Sequence, residues 1–526
     1  MLRIFAFITL LLSSLKYHKT GSVLSFVLYT ISLFSKDIYL KYNWFNINNI
    51  CFDFEIHYGT IETLICSIIC LILIILHYNA DILYQSDKYI HNKLRLLNLF
   101  AFAMCISICS NNMWQFYISI ELLGFISSLF VIIENHNKYE LQHATIVYSY
   151  NKFASIVFLI GTILYLLSYN KASVICFTIA CLCKSAQIPF SNWLVKATSA
   201  NTLASILIHC VTIIGVGIIF INKFYFLFER YQFILNTILV VSICTSIIYP
   251  IIALYETNIK KIMAYLTIAS TGTMFSLCAL KQYSISIGYF LCHAFFKSLL
   301  FLVFAYYIEY FQTKNITSFK NIKYLNIIGL IAVMSSIGIS PFIGYIPKFM
   351  ICDTLYSYPL LINISIELSN CLINIIILKL YLQYFTTKED SINLKFNIKP
   401  VYLLIILSVI YGFALVVLFK YKINNVYTSV LEDSIIIIVS YIVAKNTKHI
   451  PFYTKQIKVH KIKYSTILKH VNDFNNKIEQ FYSYIIYNYN YKISHDIEKI
   501  NNSEYKNQIK HLLIGILIVC IMLLKY

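Results

Sequence analysis

Along this chain, apolar runs of about 20 residues alternate with short polar breaks, and a run of that length lets one helix cross the roughly 30 Å hydrocarbon core of a bilayer. About 16 such runs can be counted. Their centres lie near residues 9, 29, 68, 102, 122, 156, 181, 209, 245, 270, 295, 334, 372, 409, 437 and 518. So many spans predict an all-α, polytopic membrane protein. Composition agrees: 59% of the 526 residues are apolar and only 12% are charged, about half the charged fraction of a soluble domain. The opening stretch MLRIFAFITLLLSSLKY lacks a small-residue cleavage site, and a second apolar run follows at once. It therefore reads as a first membrane helix rather than a secretory signal.

The formal charge of +19 does not point to nucleic acid. The 42 basic residues lie mainly between apolar runs and in the C-terminal region, as expected for flanks of membrane helices. Loops after odd-numbered spans are the more lysine-rich, which predicts that odd spans end inside and that the N-terminus lies outside. The 15 cysteines are scattered through apolar stretches, with neither metal-ligand spacing nor a disulfide framework.

Residues 451–509 are different. They are polar overall, yet Ile467, Val471, Phe474, Ile478, Phe481 and Ile485 recur at steps of three or four, the stripe of an amphipathic helix. Pro451 stands where such a helix could begin, and residues 510–526 return to membrane character. The helix could lie on lipid or act as a strut against other protein.

The informative residues are charges placed at mid-depth. Glu121 is the one charged residue between Asn111 and Ile133, Lys184 between Lys171 and Lys196, and His209 the one ionisable residue between Lys196 and Lys223. His293 and Lys297, four residues apart and so on one helix face, stand alone between Gln282 and Ile308. Each costs about 2.5–3.5 kcal/mol at the centre of a span on insertion scales. A single case has an ordinary excuse in a neighbouring carbonyl; four spans with the same feature point to ion movement. Lys348 lies near the end of its span, where snorkelling would also serve. Lys260, next to Lys261 and close to Glu256, has the position of an interfacial anchor. Pro189, Gly215, Gly217, Pro341, Gly344 and Pro347 crowd the same regions, and broken helices at membrane depth are tolerated where they line a cavity or hold an ion. Burial lowers the proton affinity of a lysine and a nearby carboxylate raises it again, so groups of this kind can form a proton relay. No nucleotide fingerprint, nucleophile constellation or haem ligand set is present.

The segments KSAQIPFSNWL from Lys184, HAFFKSLLFL from His293, ETNIKKIMAYLTIASTG from Glu256 and NNMWQFYISIELLGFISSL around Glu121 resemble the antiporter-like membrane subunit family of respiratory NADH:quinone oxidoreductase, complex I. KSAQ together with HAFFK resembles its chain 5 (bacterial subunit L) more than the sister chains. The resemblance spans residues from about 50 to about 350.

It implies two inverted five-helix repeats with discontinuous helices, and proton translocation coupled to electron transfer from NADH to quinone elsewhere in the complex. The implied organisation is N-terminal helices over 1–110, a proton-translocating core over 111–385, further spans over 386–450, a lateral amphipathic helix over 451–509 and an anchor over 510–526. The implied relay runs from the Glu121–Lys184 pair through Lys260, His209, His293 and Lys297 to Lys348 at the exit. The family also implies that this chain binds no cofactor and has no redox centre of its own, with NADH, FMN, Fe–S clusters and quinone held by partner subunits. Implied partners are other membrane-arm subunits, especially neighbouring antiporter-like chains, and the lipid bilayer. The location would be a mitochondrial inner membrane or a bacterial plasma membrane.

Five positions depart from the family pattern. Phe349 and Asn258 stand where the family usually has Asp, Asn201 and Leu203 where it has Pro, and Ser155 near an expected acid. Losing those acids leaves pumping competence open. A subunit of a multisubunit cation/proton antiporter shares the same buried charges, and a paralogue that only fills a structural slot would explain the missing acids.

Overall fold

The computed structural model describes residues 2–14, 18–47, 50–84, 87, 89–134, 138–384 and 426–447. Helix dominates them, because a backbone in lipid satisfies its N–H and C=O groups most simply within one segment, even where β-branched residues abound. Helices α1 (Leu2–Ser13) and α2 (His18–Ser32) pair and pack on α3 (Thr60–Leu83) and α4 (Ile90–Cys109). Arg3 is fully buried here, and its guanidinium donates to the backbone carbonyls of Ser32, Ser35 and Tyr58. That places the charge among oxygens rather than hydrocarbon.

Next come α5 (Met113–Glu134), α6 (Lys138–Leu166), α7 (Asn170–Lys184), the short α8 (Asn192–Ala197), α9 (Thr202–Cys210), α10 (Gly215–Lys223) and the one-turn α11 (Tyr225–Phe228). Then α12 (Gln232–Ala253), α13 (Ile259–Ala279), α14 (Tyr283–Phe311), α15 (Lys323–Ile337), α16 (Tyr345–Leu355), α17 (Leu360–Tyr384) and α18 (Val426–Thr447) follow. Among the described residues nine helical stretches are long and apolar enough to cross a membrane. Every expected span centre that falls among the described residues lies on a helix. The expected spans near 409 and 518, the lateral helix over 451–509 and the anchor over 510–526 lie outside the described residues.

Three interruptions divide helices at depth: α7 from α8, α9 from α10, and α15 from α16. If each broken pair counts as one span, α4 to α10 and α12 to α17 are both sets of five. Five is odd, so the second set begins on the opposite side of the membrane from the first, as inverted repeats require. Within this frame α13 and α14 are buried along nearly their whole length, whereas α12 and α17 leave about half of theirs on the periphery. The peripheral faces are apolar, with Ile160, Phe233 and Val240 exposed, the surface that lipid or another membrane subunit covers.

The sequence reading missed one element. Strands β1 (Ile38–Ile47) and β2 (Ile50–Tyr58) form an antiparallel hairpin between α2 and α3. Lys41 sits opposite Glu55 in the register and bridges Asp53 at 2.7 Å and Glu55 at 2.9 Å. Hydrogen bonds to Asp53 and then Glu55 raise the proton affinity of Lys41 above the ordinary lysine range. The hairpin is tied to the turn between α4 and α5 by Asn111 N–H donating to the Glu55 carbonyl at 3.0 Å.

Candidate functional site

The mid-depth charges fall into three groups. In the first, α5 carries Glu121 and α7 ends on Lys184, with α6 packed against both. Lys184 is 1% exposed; its ammonium donates to the Ile120 carbonyl at 2.9 Å and to Asn151 Oδ1 at 3.3 Å. Gly124 permits this approach, since a Cβ there would lie 3.1 Å from Lys184 Nζ and 2.9 Å from Asn151 Cβ. The expected direct pair of Glu121 with Lys184 is replaced by a different contact: Glu121 forms its ion pair with Lys152 of α6. Glu121 and Lys184 still lie close enough for their charges to interact. Asn151 and Lys152 are adjacent on one helix, so α6 presents a neutral acceptor to the lysine and a cation to the carboxylate. The other Glu121 oxygen, Oε2, is buried without a hydrogen-bond partner.

The second group is the centre of the molecule. His209 occupies the last turn of α9 before the break, and α9 packs on α14, which carries His293 and Lys297. The three side chains are at most 1% exposed. Lys297 lies within electrostatic reach of both histidines, and Lys260 of His209. His209 stacks on Phe301, one turn beyond Lys297, with ring centroids 5.5 Å apart. Neither nitrogen of His209 has a hydrogen-bond partner, nor has Nε2 of His293. Buried polar atoms are rarely left so, and the three histidine nitrogens come from two packed helices.

Lys260 joins this group from the first turn of α13. It is buried, and its ammonium donates to the Ala200 carbonyl at 2.9 Å. Asn258, one of the departures, caps α13 by accepting the Lys260 N–H at 3.0 Å. Asn201, another, caps α9 by accepting from Leu203 N–H at 2.6 Å. Both asparagines keep the helix-start geometry; neither supplies a charge. Ser155 is buried, its hydroxyl donating to the Asn151 carbonyl at 3.0 Å.

The third group surrounds Lys348 in the first turns of α16. Its ammonium reaches back across the break to the Ile337 carbonyl and sideways to Asn374 Oδ1 on α17, each at 2.8 Å. The break turns on Gly338, whose φ of +92° suits a residue without a side chain; a Cβ would lie 2.7 Å from Lys348 Cδ. Phe349 stacks on Tyr345 instead of supplying an acid. Two buried charged residues that sequence reasoning passed over lie nearby in the chain, Asp353 on α16 and Lys379 on α17. The seven expected positions are therefore all placed, in three groups. The sequence scan could have found Lys152, which is the one charged residue between Glu140 and Lys171.

Among the described residues no group of three or more His, Cys, Asp or Glu side chains is arranged to hold a metal ion. Buried lysines and histidines of this kind can take up and release protons.

Comparison with known proteins bears on what such a device serves. The family model described as NADH:quinone oxidoreductase/Mrp antiporter, TM matches residues 110–373. NADH-quinone oxidoreductase subunit L of Rickettsia typhi is 29% identical over 360 residues, covering 62% of this chain and 55% of that protein. NADH-ubiquinone oxidoreductase chain 5 of Paramecium tetraurelia is 28% identical over 312 residues, covering 52% of this chain and 54% of that one. The chain thus spans about half the length of the curated relatives it matches. Among solved structures, the Mrp complex from Dietzia sp. DQ12-45-1b superposes with a TM-score of 0.73 at 14% identity, covering 99% of this chain and 62% of that chain. The archaeal membrane-bound sulfane sulfur reductase gives 0.71 at 12% identity, covering 85% and 98%. At such identities the likeness is one of fold.

Proposed function

Because this chain belongs to the NADH:quinone oxidoreductase/Mrp antiporter transmembrane family, we propose that it is a proton-translocating membrane-arm subunit of an NADH:quinone oxidoreductase. The observation that carries the reading is the central cluster, where His209, His293 and Lys297 lie at most 1% exposed and both histidines carry unpartnered ring nitrogens. In this reading the chain holds no redox centre; NADH, FMN, Fe–S clusters and quinone belong to partner subunits of an energy-converting membrane. Electron transfer there shifts the balance between Lys184, Lys152 and Glu121, and the change in field moves a proton between Lys260, the central cluster and Lys348. Each step is the exchange of a lysine between a charged form, held by a carboxylate or carbonyl, and a neutral form favoured by burial.

The exposure of two charges supports a neighbouring subunit over α5 and α6. Side chains of Glu121 and Lys152 are 28% and 40% exposed at membrane depth, where lipid would be an expensive neighbour. A partner chain over α5 and α6 removes that cost, which favours another antiporter-like subunit on this side. The segment 451–509 is proposed as a strut along the membrane arm, from its sequence pattern alone.

Copurification tests the assembly. The chain, solubilised mildly from its native membrane, should bring flavin- and Fe–S-containing proteins with it, and vesicles of that membrane should acidify when given NADH. Recovery of only a small set of membrane proteins, with sodium- or potassium-driven proton exchange and no NADH response, would replace this reading with the cation/proton antiporter.

A further inference from the structure

One face of α14 continues beyond the central cluster. Lys297, His293, Tyr289 and Ser286 follow one another at steps of four, four and three, so they stack on a single side of the helix. All are at most 1% exposed. At 1.5 Å per residue they cover about 16 Å, from the middle of the protein towards the face that carries the β-hairpin. The Tyr289 hydroxyl lies beside the hydroxyls of Thr273 and Ser270 on α13. Ser286 Oγ is 3.1 Å from Cys278 Sγ, which in turn accepts from Asn222 Nδ2 at 3.4 Å. The Asn222 carbonyl oxygen is buried without a partner.

The next residue, Lys223, ends α10 with its ammonium on the Ile108 carbonyl at 2.7 Å and 3.9 Å from Glu62 Oε1. The same carboxylate oxygen is 3.4 Å from His57 Nδ1. Side-chain exposure rises along this last stretch, 11% at Lys223, 19% at Glu62 and 37% at His57. These polar groups run from a buried lysine to a half-exposed histidine.

We propose that Tyr289, Ser286, Asn222, Lys223, Glu62 and His57 form a second proton exit, leading from the central cluster to the hairpin face without passing Lys348. This rests on the proton-translocating reading above. A proton released by Lys297 passes to His293, whose other nitrogen gives one up toward Tyr289. Tyr289, Ser286 and the Cys278 thiol each accept one proton and release another, so no net charge accumulates along this path; the Asn222 amide only holds hydrogen bonds, and water carries the proton past it to Glu62. Glu62 takes the arriving proton between Lys223 and His57, and His57 delivers it to solvent on the side that loop charges place outside. The acid that Phe349 leaves missing beside Lys348 has a counterpart here in Glu62.

The test uses the assembled complex in sealed vesicles, with NADH oxidation and proton pumping recorded together. Tyr289→Phe removes one oxygen and keeps the ring, and Glu62→Gln keeps the shape while removing the charge. Both should lower protons pumped per NADH severalfold in complexes that assemble normally, and Glu62→Asp should restore much of the loss. Should Lys297→Met block pumping while Tyr289→Phe and Glu62→Gln pump like wild type, the exit is wrong and the parent reading stands. Normal pumping in Lys297→Met would overturn both.

Discussion

The Lys348 ammonium donates to Asn374 Oδ1 at 2.8 Å, so the buried lysine of α16 is held by a neutral amide from the neighbouring α17. An amide supplies a hydrogen bond without fixing the proton, whereas a carboxylate at that distance would favour the charged lysine. Asn374→Asp should therefore slow proton release, lowering pumping per NADH while electron transfer continues. Faster or unchanged pumping in Asn374→Asp vesicles would mean that Lys348 does not release protons during turnover.

Lys152 holds the carboxylate that sequence reasoning gave to Lys184. Lys152→Met should free Glu121 to act on Lys184, so that coupling changes but assembly survives. A double-mutant cycle of Lys152→Met with Lys184→Met, read as pumping per NADH, should be strongly non-additive. Additive losses would show that the two lysines act independently.

The break before α16 depends on Gly338. Substitution by Ala introduces a side chain at φ +92° and 2.7 Å from the Lys348 stem, with a backbone penalty of about 1–2 kcal/mol. The complex should lose thermal half-life and pump less, both measurable in one membrane preparation. Full activity and wild-type half-life in Gly338→Ala would remove the backbone turn from the account of Lys348.

The departures at 258 and 349 show what was legible and what was not. Isolated charges in apolar runs marked Glu121, Lys184, His209, His293 and Lys297 because insertion cost makes such residues rare, and the structure buries four of them fully. Partnership was not legible. Glu121 belongs to Lys152 and Lys348 to Asn374, contacts set by how successive helices pack on each other, which no spacing within one helix reveals. The hairpin was legible in principle, since Asp53, Glu55 and His57 alternate with Phe54, Ile56 and Tyr58 in the two-residue period of a strand. A search for spanning runs passes over such short alternation. Asn258 looked like a lost acid; the structure shows it still serving as the cap of α13.

That cap yields a separate test. Asn258→Ala should destabilise the start of α13 by about 0.5–2 kcal/mol and disorder the Lys260 contact with Ala200. Asn258→Asp should keep the cap and add a charge beside Lys260. Hydrogen exchange over the first turns of α13 should rise in the first variant and stay at the wild-type level in the second; equal exchange in both would deny the side chain its capping role.

The most direct measurement is protons pumped per NADH oxidised by the assembled Lys297→Met complex. Methionine keeps much of the bulk of lysine in the cluster with His209 and His293 and removes the charge. The proton-relay account expects a severalfold lower ratio, with normal assembly on native gels and NADH oxidation retained. A complex that assembles and pumps at the wild-type ratio would contradict it.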